Sequence, residues 1–386
     1  MKKNEDVAYG ETALPSEIRS RFVKGVNGLN MHVLEAGLKE KGRPCVLLLH
    51  GFPELAYSWR KVMLPLAEAG YYVVAPDLRG YGRTTGWDGD YDGDVDSFCF
   101  FNLVTDMLAL VFALGYRSVH VAGHDFGSPL SAWCALIRPD VFTSVVLMSA
   151  PFGGAPSLPF DTADGETQRG DGDSIHDDLA ALDRPRKHYQ RYYSTREADD
   201  NMRNCPQGIH DFFRAYYHYK SADWAENKPF ELDSWIASEI AKMPAYYVMD
   251  LEQGMAETVA QAMPSAEEIA SCKWLSDEEL RVYSSEFERN GFQGGFQWYR
   301  CGTSGKNTSD LKIFSGRTID VPSCFIGGVS DWGVYQRPGN FETMQNLACT
   351  QMRGVHLVDG AGHWVQQEQP EEVSEILVDF LDQVNR

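Results

Sequence analysis

The sequence predicts an α/β protein: a mostly parallel sheet with helices on both faces and an inserted helical cap, or lid. Three observations carry this reading. Short apolar strands alternate with helical stretches from residue 45 to residue 151. That rhythm stops over residues 152–312, where aromatic-rich helical stretches replace it. It then resumes, so both ends of the chain supply strands to one sheet.

The elements follow in order. "CVLLLHG" (45–51) reads as a buried strand ending in a glycine turn, and "YYVVAPDLRGYG" (71–82) repeats that form after a helical stretch around 58–69. "FNLVTDMLALVFALG" (101–115) has helical apolar spacing and stops at Gly115. "SVHVAGHDFG" (118–127) is a strand and "PLSAWCALIRPD" (129–140) a helix closed by Arg138-Pro139. "FTSVVLMSAP" (142–151) is a strand again. The polar, acidic segment 160–183 predicts a mobile loop. After it, "HYQRYY" (188–193), "DFFRAYYHYK" (211–220), "DSWIASEIAKMPAYYVMD" (233–250) and "GFQGGFQWYR" (291–300) predict helices. "VPSCFIGGVSDWG" (321–333) and "RGVHLVDGAGHW" (353–364) return to strands, and "PEEVSEILVDFLDQV" (370–384) closes the chain as a helix. The division is therefore core 1–151, helical insertion 152–312 and core 313–386.

Length and charge exclude some functions. The 386 residues are 43% hydrophobic, enough for a sizeable core. The net charge of −20 would repel nucleic acid and anionic membranes, so neither is an expected partner. No apolar run is long enough to span a bilayer, and the N-terminal segment has no apolar signal core. The eight cysteines form no C-x-x-C pair, which predicts scattered thiols in a reducing, cytoplasmic setting.

Gly123-His124-Asp125-Phe126-Gly127 has the spacing of a nucleophile elbow, in which a strand turns sharply into a helix and lifts the central side chain above the sheet. The central residue is Asp125, where a serine is usual. Polar residues at strand ends of an open parallel sheet gather at its carboxyl edge. Asp331, past the strand in "GGVSDWG", and His363, in the turn "GAGHW", complete the order nucleophile, acid, histidine of the α/β-hydrolase triad.

With these residues in view, the chain resembles the soluble epoxide hydrolases of the α/β-hydrolase fold. "HGFPELAYSWR" (50–60), "GYG" (80–82), "GHDFGS" (123–128), "APF" (150–152), "GFQGGFQWYR" and "GHWVQQEQPEEV" (362–373) match the family pattern in order. The match covers most of residues 20–386 and is weakest in the insertion before residue 186. It departs at Phe126, where the family usually has Trp.

A carboxylate attacks esters poorly, because the product would be a reactive anhydride. It displaces a leaving group from an sp³ carbon and leaves a stable ester. Asp125 therefore implies alkyl transfer, with His363 as general base for a water that cleaves the ester. The backbone N–H groups of Phe52 and Phe126 are the candidate oxyanion donors, each worth about 3 kcal/mol in such sites. The resemblance implies a cis Phe52-Pro53 bond. It also implies two cap tyrosines that assist the epoxide oxygen, carried over to Tyr189 and Tyr299, with Tyr192 and Tyr193 as neighbours in the same motif. Pro53, Trp298, Trp332 and Trp364 are expected in the pocket. The expected substrate is a small hydrophobic epoxide, converted to a vicinal diol.

A haloalkane dehalogenase would share the elbow and histidine, but its halide needs side-chain N–H donors where this chain has Phe52 and Phe126. A non-catalytic binder of small ligands would not need the triad. "DGDYDGDVDSFC" (88–99) opens like an EF-hand loop, but Cys99 stands where the bidentate Glu belongs, so an acidic solvent loop is expected. No metal or other cofactor is predicted.

Overall fold

The computed structural model describes residues 13–38, 42–156 and 174–385. The chain enters as a hairpin that the strand rhythm did not reveal. Strands β1 (Arg19–Val26) and β2 (Leu29–Ala36) pair antiparallel around Asn27-Gly28. Both turn residues have positive φ, 48° and 83°, as a two-residue hairpin turn requires. The signal was the Asn-Gly pair between apolar residues.

The expected alternation follows: β3 (Cys45–Leu49), α1 (Arg60–Glu68), β4 (Tyr72–Pro76), α2 (Phe100–Ala113), β5 (Val119–His124), α3 (Gly127–Ile137) and β6 (Phe142–Met148). The insertion begins with α4 (Ser174–Ala180), a short strand β7 (Arg186–His188), α5 (Tyr189–Tyr193), α6 (Glu197–Arg203) and α7 (Ile209–Lys220). It continues through α8 (Ala237–Ile240), β8 (Val248–Asp250), α9 (Met255–Ala260), α10 (Ala266–Ser271) and α11 (Asp277–Asn290). α12 (Gln293–Thr303) and α13 (Lys306–Leu311) end it. The sheet resumes with β9 (Ser323–Gly328), α14 (Asn340–Thr343) and β10 (Met352–Val358), and the chain closes with α15 (Val365–Glu368) and α16 (Pro370–Val384).

The eight strands lie in the order β1-β2-β4-β3-β5-β6-β9-β10. Only the pairs that involve β2 are antiparallel; all others are parallel. β3, β4, β5 and β9 are buried at every position, which explains their unbroken apolar runs. The register pairs Leu49 with Gly123, His124 with Met148 and Met148 with Ile326. The carboxyl ends of β3, β5, β6 and β9 are thereby brought level, and the residues just past them share one edge.

Three expectations are corrected. The helix expected over 233–250 is only the four-residue α8, and its end is β8, paired antiparallel with β7. Pro244 offers no N–H to a continuing helix, and the residues after it pair across the insertion instead. Of the loop expected over 160–183, residues 160–173 lie outside the described residues. Residues 174–180 are α4, held by buried Ile175 and Leu179 at helical spacing. The cysteines are not all free: Cys99 and Cys301 form a disulfide between the start of α2 and α12, with Cα atoms 5.6 Å apart. A partner 202 residues away leaves no local spacing signal. The other six remain thiols.

The insertion is fixed to the sheet at a point of backbone contact. A Cβ on Gly80 would overlap the Gly294 carbonyl, and one on Gly294 would overlap the Gly80 carbonyl. This close approach explains why "GYG" and "GFQGG" carry glycine there. Trp298 Nε1–H donates to the Arg79 carbonyl (2.9 Å) beside it, and Arg60–Glu279 and Arg83–Glu286 ion pairs flank it. The acidic loop 88–96 also reaches the insertion, where Tyr91 lies between the guanidinium groups of Arg196 (4.4 Å) and Arg300 (4.0 Å). Among the described residues, no cluster of His, Cys, Asp and Glu is arranged to hold a metal ion. None of the described helices is long and apolar enough to cross a membrane.

Candidate active site

The elbow is built by its glycines. A Cβ on Gly123 would overlap the Gly127 carbonyl, and one on Gly127 would overlap the Leu49 carbonyl. Only glycine lets the turn fold this tightly against β3. Asp125 itself sits at φ 51°, a left-handed conformation that is strained for a residue with a side chain. The turn lifts its carboxylate to the sheet edge, where the Phe52 N–H donates to Oδ1 (2.8 Å). Phe126 immediately precedes α3, so its N–H belongs to the positive end of that helix. The Phe52-Pro53 bond is cis.

His363 stands on the other side of Asp125. Its Nε2 is 3.3 Å from Asp125 Oδ2, and its Nδ1–H donates to Asp331 Oδ1 (3.0 Å). Nε2 lacks the alignment of a hydrogen bond to any described residue. Asp331 is fixed by accepting the Gly333 N–H (2.7 Å) at the start of a short turn. The "GHW" turn is fixed by the buried Glu368, which accepts the N–H groups of Gly362 (2.9 Å) and Trp364 (2.9 Å).

Burial alone would raise both aspartates. His363 overrides it at Asp125, with Lys220 and His124 adding to the effect, and holds that carboxyl well below the usual carboxylate range. His363 likewise lowers Asp331. At His363 itself, burial and Lys220 oppose the charged form, but Asp331 and Asp125 prevail and the imidazole is raised. The buried imidazole therefore sits between two carboxylates that favour its charged form.

Sequence reasoning missed the layer behind this triad. His124 Nε2–H donates to the His363 carbonyl (2.6 Å), and His124 Nδ1 faces Glu54 Oε2 at 2.6 Å. Glu54 is lowered despite its burial, chiefly by His124. It also accepts the Gly51 N–H (3.1 Å) and Gln366 Nε2–H (3.0 Å). The residues were visible in "HGFPE" and "GHD", but nothing local pairs them.

A cavity of about 450 Å³ opens over Asp125 and is lined by Phe126, Pro129, Tyr189, Tyr299, Val334 and Arg337 among others. Tyr299 packs its ring edge-on to Phe126 (4.6 Å) and lies 5.9 Å from the Tyr189 ring. The Tyr189 hydroxyl donates to Gln336 Oε1 (3.3 Å) and accepts from Gln190 Nε2 (3.2 Å). Burial, together with neighbouring charge and phenols, pushes both hydroxyls upward, so both remain protonated donors at neutral pH. Tyr192 and Tyr193 turn elsewhere, to Asn201 (2.7 Å) and Tyr216 (3.4 Å).

The structure does not bring Pro53, Trp298, Trp332 and Trp364 to the lining of this cavity. Trp364 stacks on Tyr217 (4.1 Å) and donates to its carbonyl. Trp298 bonds the core at Arg79, Trp332 packs on Phe230 (4.9 Å), and the Pro53 carbonyl accepts from the Tyr217 hydroxyl (3.3 Å). Large aromatic rings in these motifs supply packing behind the site. A larger cleft of about 930 Å³ lies between α1, α11 and α16 and contains none of the triad.

Residues 44–370 match the family model of the alpha/beta hydrolase fold. The chain is 30% identical over 369 residues to epoxide hydrolase B of Mycobacterium tuberculosis, covering 92% of this chain and 96% of that one. It is likewise 30% identical over 362 residues to epoxide hydrolase 3 of Siraitia grosvenorii, covering 92% and 96%. Among solved structures, an epoxide hydrolase from an endophytic Streptomyces superposes with a TM-score of 0.74 at 30% identity, covering 96% and 97%. Epoxide hydrolase I of potato (Solanum tuberosum) gives 0.71 at 30%, covering 95% and 99%. An elbow carboxylate facing a histidine, on this fold and with these relatives over nearly the whole length, is the mark of one group: the chain belongs to the epoxide hydrolases of the α/β-hydrolase fold.

Proposed function

We propose that this epoxide hydrolase works through a covalent ester on Asp125. The observation that carries the reading is the placement of that carboxylate, ionised, with the Phe52 N–H on one oxygen and His363 beside the other, under a cavity lined by Tyr189 and Tyr299. Residues 152–312 act as the cap that supplies the two tyrosines.

In the first half-reaction an Asp125 oxygen attacks an epoxide carbon. The carbon–oxygen bond of the ring breaks, its electron pair goes to the ring oxygen, and a proton from Tyr189 or Tyr299 neutralises that oxygen. Asp125 becomes a neutral ester. In the second, His363 Nε2 removes a proton from water as the water oxygen adds to the ester carbonyl. The N–H groups of Phe52 and Phe126 stabilise the oxyanion. Collapse breaks the ester carbon–oxygen bond, and the departing diol oxygen takes the proton of the new carboxyl group. Asp125 is a carboxylate again, the tyrosine regains its proton by way of His363, and a vicinal diol is released. Asp331 holds the His363 tautomer. Halide loss is the poorer fit, because neither Phe52 nor Phe126 offers a side-chain donor to a departing anion.

The test is a single turnover in ¹⁸O water. The first-turnover diol takes its new oxygen from Asp125 and stays unlabelled, while the label enters the Asp125 carboxylate. A labelled first-turnover diol would mean direct attack by water.

A further inference from the structure

We propose that Lys220 is a positioning residue for the second half-reaction: its buried, aromatic-caged ammonium keeps His363 a neutral base once Asp125 has become an ester. This rests on the two-step reading above.

Lys220 ends α7 and is only 4% exposed. Its Nζ lies 5.1 Å from the Tyr247 ring, 5.5 Å from those of Tyr216 and Trp364, and 5.7 Å from that of Tyr246. Among the described residues no carboxylate lies within ion-pair distance of it. An ammonium buried without a carboxylate is costly, and ring faces offset only part of that cost. The charge is also fixed relative to the triad. The Lys220 carbonyl accepts the His363 N–H (2.9 Å). Glu368 ties the same two segments together by accepting the N–H groups of both Ala222 (2.8 Å) and Gly362 (2.9 Å). The His363 turn is thus seated on the end of α7.

The groups that face His363 come from every neighbouring element. They are Asp331 at Nδ1, Asp125 at Nε2, the His124 ring at 5.0 Å with Glu54 behind it, and the Trp364 ring at 4.7 Å. Burial lowers Lys220 from its ordinary value, and the fields of Asp125, Asp331 and Glu54 oppose that loss of charge; its cage phenols stay neutral because burial pushes them up. Of the cations, Lys220 has the largest opposing effect on charged His363.

In the resting site two carboxylates outweigh that opposition. Ester formation removes the Asp125 charge, so Asp331 alone then favours the imidazolium while Lys220 still opposes it. His363 loses proton affinity at the step where it must accept a proton from water. The proton it releases replaces the one that a tyrosine gave to the ring oxygen.

The experiment compares Lys220→Met, which keeps length without charge, with Lys220→Arg, which keeps charge; Lys220→Gln repeats the neutral case should Met fail to pack. Ester hydrolysis is followed by rapid mixing with styrene oxide from pH 5 to 9, with the ester read by intact mass. The neutral variants are expected to shift the acid limb of hydrolysis upward by about one pH unit. Ester then accumulates near pH 6, while the rate at pH 9 matches wild type. Lys220→Arg should restore the limb. An unmoved limb in the neutral variants, an equal shift in Lys220→Arg, or a slowing of the same size at every pH would overturn the proposal. If no ester forms even in His363→Gln, the two-step reading falls with it; ester formation with an unmoved limb overturns only the role of Lys220.

Discussion

His363 Nε2 lies 3.3 Å from Asp125 Oδ2, so the proposed base and the proposed nucleophile face each other directly. Each group perturbs the other in a direction that sets pH dependence. Asp125 is depressed, so its contribution to stability is present above the unfolded value, about 4, and is lost as pH falls toward the folded value. His363 is raised, so its contribution is present below about 6.5 and is lost as pH rises through its folded value. The stability of wild type relative to Asp125→Asn should therefore be most favourable between about pH 4 and 6.5. It should decline on both sides. Thermal melting of both proteins across pH 3–9 measures it, and a difference that is flat with pH would dissolve the pair.

The two half-reactions should separate by mutation. Asp125→Ala folds but neither reacts nor turns over. His363→Gln, mixed with a reactive epoxide, gains the full substrate mass on the peptide carrying Asp125. Asp331→Asn accumulates less, because His363 loses orientation but keeps its ring. Peptide mass spectrometry distinguishes the three, and an adduct on any other residue would count against Asp125 as nucleophile.

Tyr189 and Tyr299 lie with ring centroids 5.9 Å apart on one cavity wall. If they share the epoxide oxygen, each single Phe variant retains part of the alkylation rate and the double variant almost none. Loss of one neutral hydrogen bond costs about 1 kcal/mol, and more where charge develops. Stopped-flow measurement of the first half-reaction is the readout, and a double variant as fast as wild type would assign the proton to another donor.

Gly80→Ala should damage both stability and rate. Its Cβ meets the Gly294 carbonyl, and its φ of 92° disfavours a side chain. The contact anchors α12, which carries Tyr299. Gly115→Ala is the control: its φ is also positive, at 85°, but a Cβ there meets nothing within 4 Å. Gly80→Ala should lose about 2 kcal/mol or more and lower the alkylation rate. Gly115→Ala should lose less and keep the rate. Equal rates in the two would remove the link between this contact and Tyr299.

The sequence by itself determined whatever is written locally. Buried strands show as unbroken apolar runs, the elbow as glycines at fixed spacing, and the chemistry as an aspartate where a serine is usual. The order of Asp125, Asp331 and His363 followed, because parallel strands deliver their carboxyl ends to one edge. The β1–β2 hairpin was also legible in Asn27-Gly28, though strand rhythm alone passes over it. Tertiary structure decided what depends on distant partners. Cys99 met Cys301, Glu54 met His124, and Lys220 came to rest among rings beside the triad. Pro53, Trp298, Trp332 and Trp364 went to packing, because a tryptophan's position in a motif does not say which of its neighbours will cover it. Spacing encodes local backbone geometry, whereas pairing and burial are fixed only when separate elements close on one another.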